Sequence, residues 1–432
     1  MGTRRRGIAV GIGAGITVVV TGLGLWHWSV TVPSDAVVAE VGRIVGDAYV
    51  DARRTPCPRE VLRGTPLAGD GARALRELVS ADGAYGSCLV ALAPVDGEST
   101  DVVIPPSCAG IELEVAEALQ HESVCSPLPI GDEPHGVVHY VRLARVLAAI
   151  AGARAEEGRV QEGLEIALDA LRLASDVARG RVSFLASMIA SAMVDAPVQT
   201  LTRLMRELPR DAPIELASLE RQALVLGRTQ SGPEHWAEDD ILMLLRAPLE
   251  QRGWTVPRAI EDEMGPALPW GEDDPHAYDR ALVGAQADLA RARAVCAGAT
   301  TRRECVEAWR TEAVRAEPSW FASLVDPSLV DYAETVRSVS PYFVRAAEAE
   351  AAVRAVVALF VHRRLAATGD ACVTPGAVEA ELRRQGIAEG VGGTFSVRAC
   401  PDDPCRLSVR APEWLTEDAD DSPVVLLESR VP

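Results

Sequence analysis

Val137-Val-His-Tyr-Val-Arg-Leu-Ala-Arg-Val-Leu-Ala-Ala-Ile-Ala-Gly-Ala-Arg-Ala-Glu-Glu-Gly158 is followed almost at once by Val160-Gln-Glu-Gly-Leu-Glu-Ile-Ala-Leu-Asp-Ala-Leu-Arg-Leu-Ala-Ser-Asp-Val-Ala178. In both stretches apolar residues recur at three- and four-residue spacing, the period of a helix with one buried face. Glu156-Glu-Gly158 breaks the rhythm, so the pair reads as two helices joined by a tight turn. This hairpin makes the chain mainly α.

Working outward, the pattern predicts further helices over Arg181–Asp195, Pro197–Leu208 and Pro213–Gly227. Residues 231–276 interrupt it with Ser231-Gly-Pro233, Gly265-Pro266 and Pro269-Trp-Gly271, between acidic runs such as Glu238-Asp-Asp240 and Glu272-Asp-Asp274. This stretch reads as an acidic insertion or linker, which Trp236, Trp254 and Trp270 argue is packed down. Helices return at Asp279–Ala297, Thr301–Ala316 and from Asp326-Pro327 to Ser338. A long one then starts at Ser340-Pro341, with serine as N-cap and proline in the first turn. Its inward stripe is Ala349, Val353, Val356, Val357 and Phe360, with Arg345, Glu348 and Arg363 facing outward. Thr374-Pro375 caps a short helix to Arg384. Thr394–Arg398 and Arg406–Arg410 alternate as strands of a β-hairpin, and Val424–Leu427 adds a possible third strand.

The spacing Leu147…Ala151…Gly158…Gly163…Ala170-Leu171 resembles one tetratricopeptide-type repeat, with small residues where paired helices approach closely. Arg154 and Ala167 stand where that pattern usually has aromatics, and Ser175 where proline often follows. The resemblance covers one repeat, which cannot bury its own core. The whole layout also resembles uncharacterised membrane-anchored proteins of G+C-rich bacteria, a likeness that implies architecture and location without an activity.

The location follows from the N-terminus. Met1-Gly-Thr-Arg-Arg-Arg6 precedes an uncharged run from Gly7 to Val32. About 20 residues at ~1.5 Å each span a hydrocarbon core of ~30 Å. Trp26 and Trp28 fall where an interfacial aromatic belt is expected, and the arginines favour a cytoplasmic N-terminus. Residues 1–32 therefore read as a cytoplasmic tail and transmembrane signal anchor in a bacterial inner membrane, single-pass, with the body periplasmic. A cleaved signal peptide, cut near Ser34-Asp35-Ala36, is the competing reading. The organisation expected beyond the anchor is a disulfide-stapled mixed segment over 33–136 and a tetratricopeptide-like domain over 137–230. The insertion over 231–276, a second helical region over 277–390 and terminal strands over 391–432 complete it. Within the stapled segment, Val37–Val50, Ala72–Val79 and Gly110–His121 read as helices, and Ser87–Pro94 and Asp101–Pro105 as extended segments.

Composition excludes more than motifs assign. The 432 residues contain no lysine and no asparagine, and all 43 basic residues are arginine. Without lysine there is no P-loop, Schiff-base lysine or Ser-x-x-Lys centre; without asparagine there is no Cys-His-Asn triad, and a protein kinase needs both. The net charge of −19 argues against nucleic acid as a partner. Beyond residue 32 the charge is −22, because all 62 acids and all but three arginines lie there. Such a body is repelled by anionic headgroups and projects from the membrane.

Nine cysteines in an oxidising compartment read as a disulfide framework. Cys296 and Cys305 would clip a helical hairpin, and Cys400 and Cys405 the turn at Pro401-Asp-Asp-Pro404. Cys372 would compete for one of these or stay free. Cys57, Cys88, Cys108 and Cys125 allow three connectivities.

His135 and His139, four apart on one helix face, are the sole candidates for a metal pair. No His-Glu-x-x-His accompanies them, and terminal-turn histidines without a ligand are the plainer reading. No calcium loop, Gly-x-Ser-x-Gly or dinucleotide fingerprint is present, and His362 reads as a boundary residue rather than a base. No catalytic residue and no cofactor are expected. The expectation is a membrane-anchored extracytoplasmic helical scaffold or binding protein for another envelope protein or a peptide. A hydrolase or metal-dependent enzyme with a scattered site is the alternative.

Overall fold

The computed structural model describes residues 35–54, 60–80, 83–91, 104–123, 134–179, 184–208, 212–228, 277–300, 302–315, 328–368, 372–387, 396–400, 403–410 and 427–429. The fold is mainly helical, with twelve α-helices among these residues. The acidic stretch 231–276 and the expected anchor at 1–32 lie outside them. Among the described residues no helix is long and apolar enough to cross a membrane.

The deciding hairpin forms α5 (Pro134–Glu156) and α6 (Val160–Arg179). Gly158 turns the chain between them at φ 82°, a left-handed conformation that costs glycine little. Five residues on, a Cβ on Gly163 would lie 2.5 Å from the carbonyl oxygen of Ala151. Only hydrogen fits, and that lets the two helices close on Leu143, Leu147, Leu164 and Leu168, all essentially sealed from water. Helix α7 (Phe184–Glu207) packs against both.

Helix α8 (Leu216–Arg228) lies against α6 and the long α11 (Ser328–Thr368), which in turn packs on α7. Two expected breaks are absent. Pro197 sits inside a continuous α7, and α11 runs through Ser340-Pro341, so neither residue acts as a cap. Proline removes one intrahelical hydrogen bond and bends a helix, but extensive apolar packing on either side outweighs that cost. Arg363, expected outside, is buried on α11, where its guanidinium donates to the carbonyl of Leu208.

Helix α1 (Asp35–Arg54) packs on α9 (Ala277–Val295), which is joined to α10 (Arg302–Arg315) by a disulfide between Cys296 and Cys305. Helix α10 lies against α11 and inserts Trp309, which is fully buried. The expected hairpin clip thus has its bond.

Over the α5–α6 pair sits a small mixed layer. Strand β1 (Leu67–Asp70) pairs in parallel with β2 (His121–Ser123), and between them run α2 (Ala72–Val79), α3 (Gly86–Ala91) and α4 (Ile111–Ala118). The extended reading of Ser87–Pro94 is therefore corrected: its first part is helical. Cys88 on α3 bonds Cys108, both wholly buried. Cys57 and Cys125 lie outside the described residues. Arg63 straps this layer down, bridging Glu165 and Asp169 one turn apart on α6, while Arg172 of α6 donates to the carbonyl of Glu60.

At the other end, Thr374 caps α12 (Pro375–Arg384) by accepting from the Ala377 amide. Strands β3 (Ser396–Cys400), β4 (Asp403–Arg410) and β5 (Leu427–Ser429) form an antiparallel sheet in that order, with β5 against α7 and α11. In the β3–β4 register Cys400 faces Asp403 rather than Cys405, and the side chains of both cysteines fall outside the description. Cys372 is not free: it is disulfide-bonded.

Candidate functional site

The helices of the body run in two senses. Along α5 and α7 the neighbours advance together: Thr200 donates to the carbonyl of Ala148 (3.5 Å), and Arg203 lies beside Gly152 and 3.8 Å from Glu156. These two helices are parallel. From α7 to α11 the neighbours also advance together, from Asp195 beside Arg345 to Leu208 beside Arg363. Helix α8 runs against α11, with Glu220 2.6 Å from Arg364 and Gly227 beside Val357. So α5, α7 and α11 form one parallel layer, and α6 and α8 run the opposite way behind it.

A strip of charge crosses this layer. Asp195 of α7 lies within electrostatic reach of Arg145 of α5 and Arg345 of α11, and Glu348 follows Arg345 by three residues on α11. Asp195 is open to water, yet burial by surrounding protein is the largest influence on its carboxyl. Burial raises the Asp195 carboxyl above its ordinary range against the opposing pull of Arg145 and Arg345. Burial also raises the half-buried Glu348, which Arg345 opposes and the Asp195 charge reinforces. Two carboxyls that resist ionisation beside two guanidiniums can accept hydrogen bonds, donate them when protonated, or pair with either sign of charge.

The residues singled out in the sequence lie elsewhere. His139 is buried, its Nδ1 2.8 Å from the carbonyl of Val79 at the end of α2. That places it in the seam between α2 and α5 rather than at a metal; the side chain of His135 is outside the description. Among the described residues no group of three potential metal ligands comes together. His362 is buried in α11, where burial first, and Arg363 second, push its imidazole down to about 4. Sequence reasoning passed over Asp195 as the last residue of a short helix. The available signal was an acid two residues ahead of a proline, on the exposed side of a helix that does not end there.

No protein-family model matches the chain, and no curated protein or solved structure does either.

Proposed function

We propose that this chain is a membrane-anchored, extracytoplasmic helical scaffold that receives a peptide segment of another envelope protein on the charged face along α5, α7 and α11. The observation that carries the reading is the charged strip Arg145, Asp195, Arg345 and Glu348 on a layer of parallel helices. Parallel α5, α7 and α11 backed by antiparallel α6 and α8 are what stacked tetratricopeptide-like hairpins would give, and such stacks bind extended segments on one face. The disulfides Cys88–Cys108 and Cys296–Cys305 and the bonded Cys372 support a body outside the reducing cytoplasm. Residues 1–32 supply the inner-membrane anchor in this reading, and the acidic body keeps the charged face clear of anionic lipid.

The test is site-specific photo-crosslinking in intact cells. A crosslinker at Gln199, exposed on α7 beside the strip, is expected to trap a discrete partner, and Arg145→Ala with Arg345→Ala to abolish the adduct. Adducts no stronger than those from Glu307, exposed on α10, would sink the scaffold reading. One observation favours a second reading, a hydrolase: two carboxyls raised above their ordinary range, Asp195 and Glu348, suit proton transfer. It requires that Asp195→Asn and Glu348→Gln each abolish turnover of a glycan or peptide substrate while leaving the crosslink intact.

A further inference from the structure

Residues 60–66 cross α6 without regular structure, and none of them is buried. Charge and one backbone contact hold them there. Arg63 sends one terminal guanidinium nitrogen to Glu165 Oε2 and the other to Asp169 Oδ2, carboxylates one helical turn apart on α6. Three residues before Arg63, the carbonyl of Glu60 accepts from Arg172, about one turn further along the same helix. Gly64 then bends the chain away at φ 79°, a left-handed conformation, and the Leu67 amide donates to the Gln120 carbonyl at 2.9 Å where β1 begins. The α6 side of the contact is fixed from behind. Glu165 Oε1 accepts from Gln161 Nε2 at 2.6 Å, and Gln161 Oε1 accepts from the Glu215 amide at 2.9 Å, just ahead of α8. Asp169 and Arg172 are buried. The receiving groups are thus set by the helical body, whereas the segment that meets them lies on the surface.

We propose that this face of α6 is a binding site for an extended, arginine-bearing segment of another protein, and that residues 60–66 are its built-in competitor. Two carboxylates a turn apart match the fork of a guanidinium, whose terminal nitrogens serve one each; a lysine ammonium is a single point and cannot span them equally. Arg172 supplies the register. It reads a backbone carbonyl three residues before the clasped side chain, so any residue type is accepted there. No buried side chain pins the strap, and the ion pairs of Arg63, one-third exposed, are screened by salt. A contact of that kind can be exchanged for an equivalent one while β1 stays paired with β2. The net charge of −19 draws a basic segment toward the body. The face lies on α6, behind the layer that bears Gln199, so this site and the crosslink that tests the scaffold reading fail independently.

Fluorescence anisotropy with the full-length protein tests this, the probe being a labelled synthetic copy of residues 60–66 with blocked ends. The wild type should bind it weakly, because its own strap fills the face and apparent affinity falls with the open fraction. Arg63→Ala, which unclasps the strap, is expected to bind the probe at least about tenfold more tightly. A probe carrying Arg63→Lys should bind that variant several-fold less well. Adding Glu165→Gln and Asp169→Asn to Arg63→Ala should return the affinity to the wild-type level or below. Should Arg63→Ala not fold, the wild type still decides the matter: excess probe is expected to speed deuterium exchange of the strap amides at least about threefold by displacing them. A folded Arg63→Ala protein that binds no tighter than wild type, or binding that survives the loss of both acids, would overturn the site. So would strap exchange in the wild type that excess probe leaves unmoved.

Discussion

Among the described residues Trp309 of α10 is the largest side chain fully withdrawn from water. Trp309→Ala is expected to cost about 3–5 kcal/mol, read from chemical denaturation, because the neighbours cannot close the hole. Gly163 errs in the other direction: any side chain there meets the Ala151 carbonyl, so Gly163→Val should cost roughly 1–3 kcal/mol by forcing α5 and α6 apart. Two single groups shape the acid limb. Hydrogen bonding to Arg384, helped by Gln385 and Arg364, pulls the Glu381 carboxyl down to about 2 from 4.5, so its contribution is lost only as pH falls below 4.5. His362 titrates near 6.5 when unfolded and about 4 when folded, so the unfolded chain takes up its proton first. Stability attributable to it is lost between those values. Denaturation at a series of pH values should show the loss nearer neutrality vanish in His362→Gln and the steeper acid loss shrink in Glu381→Gln. At this scale the sequence was legible where periodicity alone decides. Val353, Val356, Val357 and Phe360 are buried as expected, whereas Arg363 is drawn inside by a carbonyl at the end of α7 that no local pattern announces.

Elements were readable in kind more than in extent. The turn at Gly158, the caps at Thr374 and the clip at Cys296 and Cys305 are local chemistry, and each lies where composition put it. Pro197 and Pro341 mark a break in helix propensity without a break in structure, because packing carries α7 and α11 across. The parallel pair β1–β2 was invisible, since its strands are three or four residues long and their partnership spans three helices. The clip offers a direct measurement. Replacing Cys296 and Cys305 by serine should lower stability by about 2–3 kcal/mol, the loop-closure value for so short a crosslink. Exchange should rise first in α9 and α10. Unchanged protection there would mean that Trp309 and Val306 hold the hairpin without it.

For the whole molecule, thiol counting is decisive. Cys88, Cys108, Cys296, Cys305 and Cys372 are all bonded, and Cys372 needs a partner, so six of nine cysteines are engaged. Alkylation of the denatured, unreduced protein should modify at most three thiols by intact mass; more would place the body in a reducing compartment and remove the support for an extracytoplasmic scaffold. The charged strip was the part least legible beforehand, because its members come from three helices, as far apart in sequence as Arg145 and Glu348, and come within electrostatic reach only once those helices lie parallel. The pairing of α1 with α9 has its own bearing on synthesis. Val38 and Val41, buried on α1, leave the ribosome about 240 residues ahead of α9, the helix packed on α1. At bacterial elongation rates that interval is on the order of ten to fifty seconds. For that long the apolar side of the first helix waits for the helix that packs on it, so this contact is among the last that synthesis allows to form.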